Sequence, residues 1–230
     1  MYDTEVEITN VTLPIEELHL AFLINKLRTE FGFLESSKGN IPISGYGEIM
    51  PLYTYPCYEY LRSIDWSNSN VFEFGCGYST VWWASMGANM YGVESEHHWA
   101  EKLNPIGHYK IDVEQEIDRY TNAIYRHEID FDVIIIDGLF RSKCVESSLN
   151  CVAKGGIIVL ENSDCNFKAK ELLDNSLLIP VHFHGFKPIH VDTETTSCYI
   201  QSKFSRKPKS IIPMGGTDRN KGAMKKLLNY

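Results

Sequence analysis

The sequence predicts an α/β sandwich around a mostly parallel sheet with one antiparallel edge pair. Three observations carry that prediction. From Val71 onward, short apolar segments alternate singly with helical ones, which is the pattern of parallel strands joined by crossover helices. Val133, Ile134, Ile135 and Ile136 stand in a row without polar alternation, as expected of a strand buried on both faces. The last two strand-like segments, IPVHFHGF and TTSCYIQS, are joined only by KPIHVDTE, too little for a helical crossover.

Taken in order, residues 13–34 read as an amphipathic helix, with Ile15, Leu18 and Phe22 on one side, Thr12 as its cap, Pro14 in its first turn and Gly32 as its end. Residues 36–51 are rich in Gly, Ser and Pro and read as an ordered loop, and TYPCYEYLRSI begins a second helix. VFEF is the first strand and STVWWASMG the helix after it. NMYGVE, HYKIDV, FDVIIIDG and IIVLEN are the next four strands. EHHWAEKL, VEQEIDRYTNAIYRH and SKCVESSLNCVAKGG are helices between them, the last stopped by its glycines, and FKAKELLDN is a further short helix.

Composition bounds the function. The chain has 230 residues, 43% hydrophobic and 23% charged, which suffices for one globular α/β domain without disulfides or metals. No basic, apolar leader is visible at MYDTEVEITN, and no apolar run reaches membrane-spanning length. The six cysteines form no CxxC pair and read as free thiols, so the expected location is the cytoplasm. The net charge of −8 conceals an asymmetry: residues 1–202 sum to −15, and residues 203–230 to +7. A body this acidic repels a nucleic-acid backbone. The basic tail reads as a segment that folds back and neutralises the body.

The sharpest feature is Glu73-Phe74-Gly75-Cys76-Gly77-Tyr78-Ser79-Thr80. Glycines after a buried strand let a ligand approach the backbone, and the helix behind them offers unpaired N–H groups. At the end of the second strand stands Glu94, placed to take hydrogen bonds from two ribose hydroxyls. Together these predict a nucleotide-type cofactor. A dinucleotide fingerprint wants a third glycine where Thr80 stands, and Glu73 would repel its pyrophosphate. The same acid suits a cofactor bearing an amine and a sulfonium, so S-adenosylmethionine is favoured over NAD. An NAD-dependent oxidoreductase and a non-catalytic S-adenosylmethionine-binding module stand as alternatives.

TYPCYEYL, VFEFGCGYSTVWWA, GVESEHHW, FDVIIIDGLFRSKC, GGIIVLENSD, and FHGFKP with TETTSCYI resemble the class I S-adenosylmethionine-dependent methyltransferase superfamily, and within it a branch carrying a TYP segment before the glycine turn. The resemblance implies a Rossmann-like three-layer sandwich of seven strands in the order 3-2-1-4-5-7-6. The resemblance covers roughly residues 36–200; with the charge count it gives an expected organisation of N-terminal helices and a loop over the cleft (1–70), a core (71–202) and a basic tail (203–230). By resemblance, Glu73, Gly75 and Gly77, with Ser79, line the cofactor, Glu94 holds the ribose, Ser95 lies beside the adenine, and Asp137 and Gly138 form the floor. Tyr53, Thr54 and Tyr55 cover the methionine end. The branch commonly has PW before its TYP; this chain has Pro51-Leu52, so its acceptor pocket is expected to differ.

The acceptor is expected at the free rim of the fourth and fifth strands. Glu161 and Asp164 are candidate bases there, with His182, His184 and His190 as competitors. Asp137, Glu161 and Asn162 could hold a hard cation, but no further acid follows closely behind Asp137, and no metal is predicted. Arg141 is free to pair with an acceptor carboxylate or with Glu146. Cys76, Tyr78, Trp82, Trp83 and Trp99 read mainly as packing residues. The expected partner is a small molecule, methylated at oxygen or nitrogen, with neither nucleic acid nor membrane involved.

Overall fold

Seven strands form a single sheet: β1 (Asn70–Phe74), β2 (Asn89–Glu94), β3 (Lys110–Val113), β4 (Phe131–Ile136), β5 (Val152–Leu160), β6 (Ile179–Gly185) and β7 (Glu194–Ile200). Their spatial order is β3-β2-β1-β4-β5-β7-β6. Every pairing from β3 to β5 is parallel, and β7 runs antiparallel between β5 and β6. The computed structural model describes residues 14–103 and 109–216. Around the sheet lie α1 (Ile15–Thr29), α2 (Phe33–Gly39), α3 (Tyr55–Arg62), α4 (Tyr78–Ser85), α5 (His97–Leu103), α6 (Ile117–Thr121), α7 (Arg141–Ser148) and α8 (Phe167–Asp174). This is the Rossmann-like sandwich expected from the sequence.

The central strands are buried on both faces, and their side chains alternate between two cores. Val71, Val133, Ile135, Ile157 and Val159 pack with Tyr53, Trp66, Trp82 and Trp83 on one side. Phe72, Phe74, Ile134, Ile136, Ile158 and Leu160 pack with Tyr120, Ile124 and Tyr199 on the other. The period of two therefore survives inside an unbroken apolar run. Among the described residues, no helix is long and apolar enough to cross a membrane.

Four local readings change. The helix read over 13–34 is two helices, because Gly32 adopts a φ of +66° and the chain pivots there into α2, in what the sequence reads as loop. A Cβ at Gly32 would stand 2.2 Å from the Ile43 carbonyl oxygen, so the pivot requires glycine. VEQEIDRYTNAIYRH is not one helix. The Glu116 carboxylate caps the N–H groups of Asp118 and Arg119 to start α6, and the chain tightens into a 3-10 turn over Ala123–His127. VAKGG is the start of β5 and not the end of a helix, with Gly155 at φ +85° where the register to β4 shifts. Finally, α1 buries none of its residues among the described ones, so its apolar side is not core.

The basic segment does fold back as far as Gly216. Arg206 donates to Asp132 at 2.5 Å and Ser69 at 2.8 Å and lies over the Trp66 ring. Backbone bonds join Lys207 to Asp65 and Lys209 to Ser63, and Glu59 accepts from the Met214 N–H. Thr12, the strand start at His108 and the tail beyond residue 216 lie outside the described residues.

Candidate functional site

The turn after β1 brings two backbones almost into contact. Gly75 has a φ of +90°, and a Cβ on it would lie 2.5 Å from the Gly138 Cα. The Asp137 and Gly138 N–H groups both donate to the Phe74 carbonyl, at 3.0 and 2.7 Å, which locks the end of β4 to the end of β1. Above this floor opens a cleft of about 230 Å³. Gly75, Gly77, Ser79, Glu94, Asp137 and Gly138 line it, all of them expected from the sequence, and Leu52, Tyr78 and Trp99 join them. Gly77 differs from Gly75. Its backbone is extended at φ −163°, and a Cβ there meets nothing within 4 Å. The protein's own packing does not require glycine at 77.

Glu94 ends β2 and is 7% exposed. Its Oε1 accepts from the Ser95 N–H (2.7 Å), the Ser95 hydroxyl (3.1 Å) and the Glu96 N–H (2.9 Å). Its second oxygen accepts nothing among the described residues and is free for a ligand. Ser95 is thereby engaged with Glu94, and Gln115 donates to its carbonyl; it does not line the cleft. At this end Tyr78 and Trp99 meet edge to face at 5.3 Å. The Lys102 ammonium stands over both rings and donates to the Tyr78 hydroxyl at 2.7 Å. Two of the aromatics read as packing residues are therefore cleft walls; Trp82 and Trp83 are buried.

Glu73 is fully buried beneath the turn and does not line the cleft. The Ser79 and Thr80 hydroxyls donate to its two oxygens, each at 2.5 Å. Burial pushes its carboxyl up to about 8, against the pull of those two hydroxyls. The acid thus ties β1 to the first turn of α4 and turns no charge toward the cleft, contrary to the role expected of it. Cys76 is buried with its thiol 3.7 Å from the Glu73 carbonyl, and burial raises it well above the ordinary thiol range, as suits a packing role.

The TYP segment lies elsewhere. Tyr53 is 1% exposed, and its hydroxyl accepts from the Trp83 indole at 3.1 Å. The Thr54 N–H donates to the Thr196 hydroxyl (2.9 Å), and the Thr54 hydroxyl donates to the Phe183 carbonyl (3.0 Å). The Tyr55 N–H donates to the Phe186 carbonyl (2.8 Å). The entry to α3 thus satisfies its backbone groups on β7 and on the chain after β6, and none of the three residues lines the cleft. Leu52 takes the place expected of them.

Beside the cleft, the ends of β4, β5 and β7 assemble a buried polar cluster. Arg141 donates to the carbonyls of Gly138 (3.1 Å), Asp137 (2.6 Å) and Glu161 (2.5 Å) and to the Asp137 carboxylate (2.9 Å). It staples two strand ends, and Glu146 pairs with Lys143 instead. Glu161 is 1% exposed. The Thr196 hydroxyl donates to it at 2.9 Å, the Asn162 N–H at 3.2 Å, and the Lys187 ammonium lies 3.9 Å away. Burial, and then the charge of Asp137, push its carboxyl up to about 8. Lys187, itself buried, is paired with Glu194, to which the Asn162 amide also donates. Asp137, Glu161 and Asn162 are thus each engaged by protein groups. No cluster of three or more His, Cys, Asp or Glu placed to hold a metal occurs among the described residues.

Asp164 and His182 fall outside this cluster. Asp164 is exposed and accepts the Thr195 N–H at 3.1 Å. His182 is bonded to the Ser197 hydroxyl at 2.8 Å on edge strand β6, four strands from β1 or roughly 19 Å at sheet spacing. Lys187, Glu194 and Thr196 have no place in the sequence reading as site residues. Their one signal was membership of the FHGFKP and TETTSCYI segments, since no spacing rule ties a loop lysine to acids on distant strands.

No family model matches the chain, and no curated protein is similar to it in sequence. Solved structures do match. The O-methyltransferase TomG from Streptomyces achromogenes, involved in tomaymycin synthesis and solved in complex with S-adenosylmethionine, aligns with a TM-score of 0.50 at 17% identity, over 64% of this chain and 78% of that one. Precorrin-6y C5,15-methyltransferase from Geobacter metallireducens aligns with a TM-score of 0.48 at 12% identity, over 59% of this chain and 81% of that one. The chain has the class I methyltransferase fold. In that fold the cleft at β1, β2 and β4 lies at the carboxyl ends of the strands, where open α/β sheets bind ligands.

Proposed function

We propose that this chain transfers a methyl group from S-adenosylmethionine to the oxygen or nitrogen of a small-molecule acceptor. The observation that carries the reading is Glu94: a buried carboxylate at the end of β2 with one oxygen held by the backbone and the other free, facing a floor of bare glycine backbone. Such a group suits a ribose diol. Thr80, which stands where a dinucleotide turn wants its third glycine, favours this cofactor over NAD. The cofactor supplies an electrophilic methyl group on sulfur. The protein's residues hold it through Glu94 and the backbone at Gly75, Gly77 and Gly138, and present Asp137 toward the reacting end. Glu161, behind Asp137, is the base that takes the acceptor's proton. The acids around the cluster suit a neutral or cationic acceptor and disfavour a nucleic acid.

Calorimetry with S-adenosylhomocysteine and with NAD tests the cofactor. Binding of the first and not the second is expected, and Glu94→Ala is expected to weaken it by roughly 1–3 kcal/mol through loss of charge-assisted hydrogen bonds. No heat at millimolar S-adenosylhomocysteine, or unchanged affinity in the folded variant, overturns the reading. A screen of sugars, small acids, amines and phenols for S-adenosylhomocysteine release identifies the acceptor. Once it is known, EDTA-treated protein is expected to retain its turnover, since Asp137, Glu161 and Asn162 are all committed to other protein groups. Loss with EDTA and recovery with magnesium would reassign those three as ligands.

A further inference from the structure

Glu161 is closed off from solvent, so an acceptor cannot reach it without a change in what covers it. The cover includes Lys187, in the connection between β6 and β7. That connection, residues 186–193, is tied down at few points. The Phe186 carbonyl accepts from Tyr55, Lys187 pairs with Glu194 and lies 3.9 Å from Glu161, and the His190 ring lies 3.5 Å from Glu194. Lys187 and Pro188 are buried, whereas Phe186 is 46% and Val191 75% exposed. Ile189 has a φ of +73°, and the His190 N–H donates to the Pro188 carbonyl at 2.9 Å. A β-branched residue at the centre of such a three-residue turn is strained, and strain of this kind persists only where surrounding contacts hold it.

We propose that residues 186–193 are a lid over Glu161 and that Lys187 is its latch. The proposal rests on the reading of Glu161 as the acceptor-side base. A buried ammonium paired with the Glu194 carboxylate at the start of β7, beside Glu161 at the end of β5, holds the connection down by charge, and the stored strain at Ile189 favours its release. When Lys187 leaves, Glu161 and Glu194 open to an entering acceptor, and Phe186 and Val191 offer it apolar contact. When it returns, water is excluded from the base and the methyl donor. Lys187 is on this account a positioning residue, acting through Glu161 and Glu194.

The test uses the full chain as wild type, Lys187→Met and Lys187→Arg, each with and without S-adenosylhomocysteine. Amide hydrogen exchange is read over 186–193 and over β1 and β4. Glu161 is labelled by a carbodiimide with glycine ethyl ester and read by mass spectrometry. In Lys187→Met, exchange over 186–193 and labelling of Glu161 are expected to rise at least fivefold, while β1 and β4 are unchanged. Lys187→Arg is expected to restore most of the protection. Unchanged exchange and labelling in folded Lys187→Met overturns the latch, and so does a rise spread evenly over β1, β4 and the lid. The cofactor reading is judged separately by wild-type affinity for S-adenosylhomocysteine: its absence would sink that reading and leave the lid result standing.

Discussion

Glu161→Gln is expected to cut methyl transfer by about 10²–10⁴-fold, the range for loss of a general base, while S-adenosylhomocysteine affinity stays within about threefold. Glutamine keeps the size of the side chain and can still pair with the Thr196 hydroxyl, so the fold is expected to survive. The pH dependence follows from the sign of the shift. A base must be ionised, and burial together with Asp137 pushes this carboxyl up to about 8. At neutral pH the ionised, active form is then the minor one. The parent rate should climb through pH 8 and level off above it, and the glutamine variant should lose that limb. Initial rates from pH 6 to 9.5 with the identified acceptor decide it. A variant turning over at the parent rate would move attention from Glu161 to Asp137.

The two turn glycines are expected to fail in opposite ways. Gly77→Leu should leave stability within about 0.5 kcal/mol, because its backbone is extended and its Cβ meets nothing in the protein. The leucine enters the cleft instead. S-adenosylhomocysteine affinity should fall by roughly 10–200-fold, or about 1–3 kcal/mol, the usual cost of forcing extra methylenes into a filled site. Gly75→Ala should do the reverse, with a loss of about 2–5 kcal/mol in stability from its φ of +90° and a Cβ 2.5 Å from the Gly138 backbone. Urea midpoints and calorimetry on both variants separate the outcomes. Parent-like binding by folded Gly77→Leu would place the cofactor somewhere other than this cleft.

Much of the architecture was legible because the relevant signals are local. The apolar runs at 71–74 and 131–136, the helices between them and the glycine turn each declare themselves within a dozen residues. Glu94 was legible for the same reason: an acid at the end of the strand that follows a glycine turn has one place to be. Elements that depend on cap or pivot chemistry were less so. Gly32 reads as the stop of one helix, and only its left-handed turn into α2 shows that it joins two.

The strands, the turn at Gly75 and Gly77, the position of Glu94, and the grouping of Asp137 and Glu161 at adjoining strand ends are readable from local pattern, while the strand order came from the resemblance. The local readings follow from periodicity and from the rule that parallel strands present their carboxyl ends to one rim. Which side chains face that rim was settled by the packing of the folded chain. It turned Glu73 under the turn, where Ser79 and Thr80 take both its oxygens, and carried Tyr53, Thr54 and Tyr55 toward β7 and the chain after β6. It left Asp164 and His182 to backbone and hydroxyl partners, and it buried Lys187 between Glu161 and Glu194. The reason is physical. A backbone N–H or a buried charge takes whichever partner the packed chain brings within about 3 Å, as Thr54 takes Thr196 from 142 residues away.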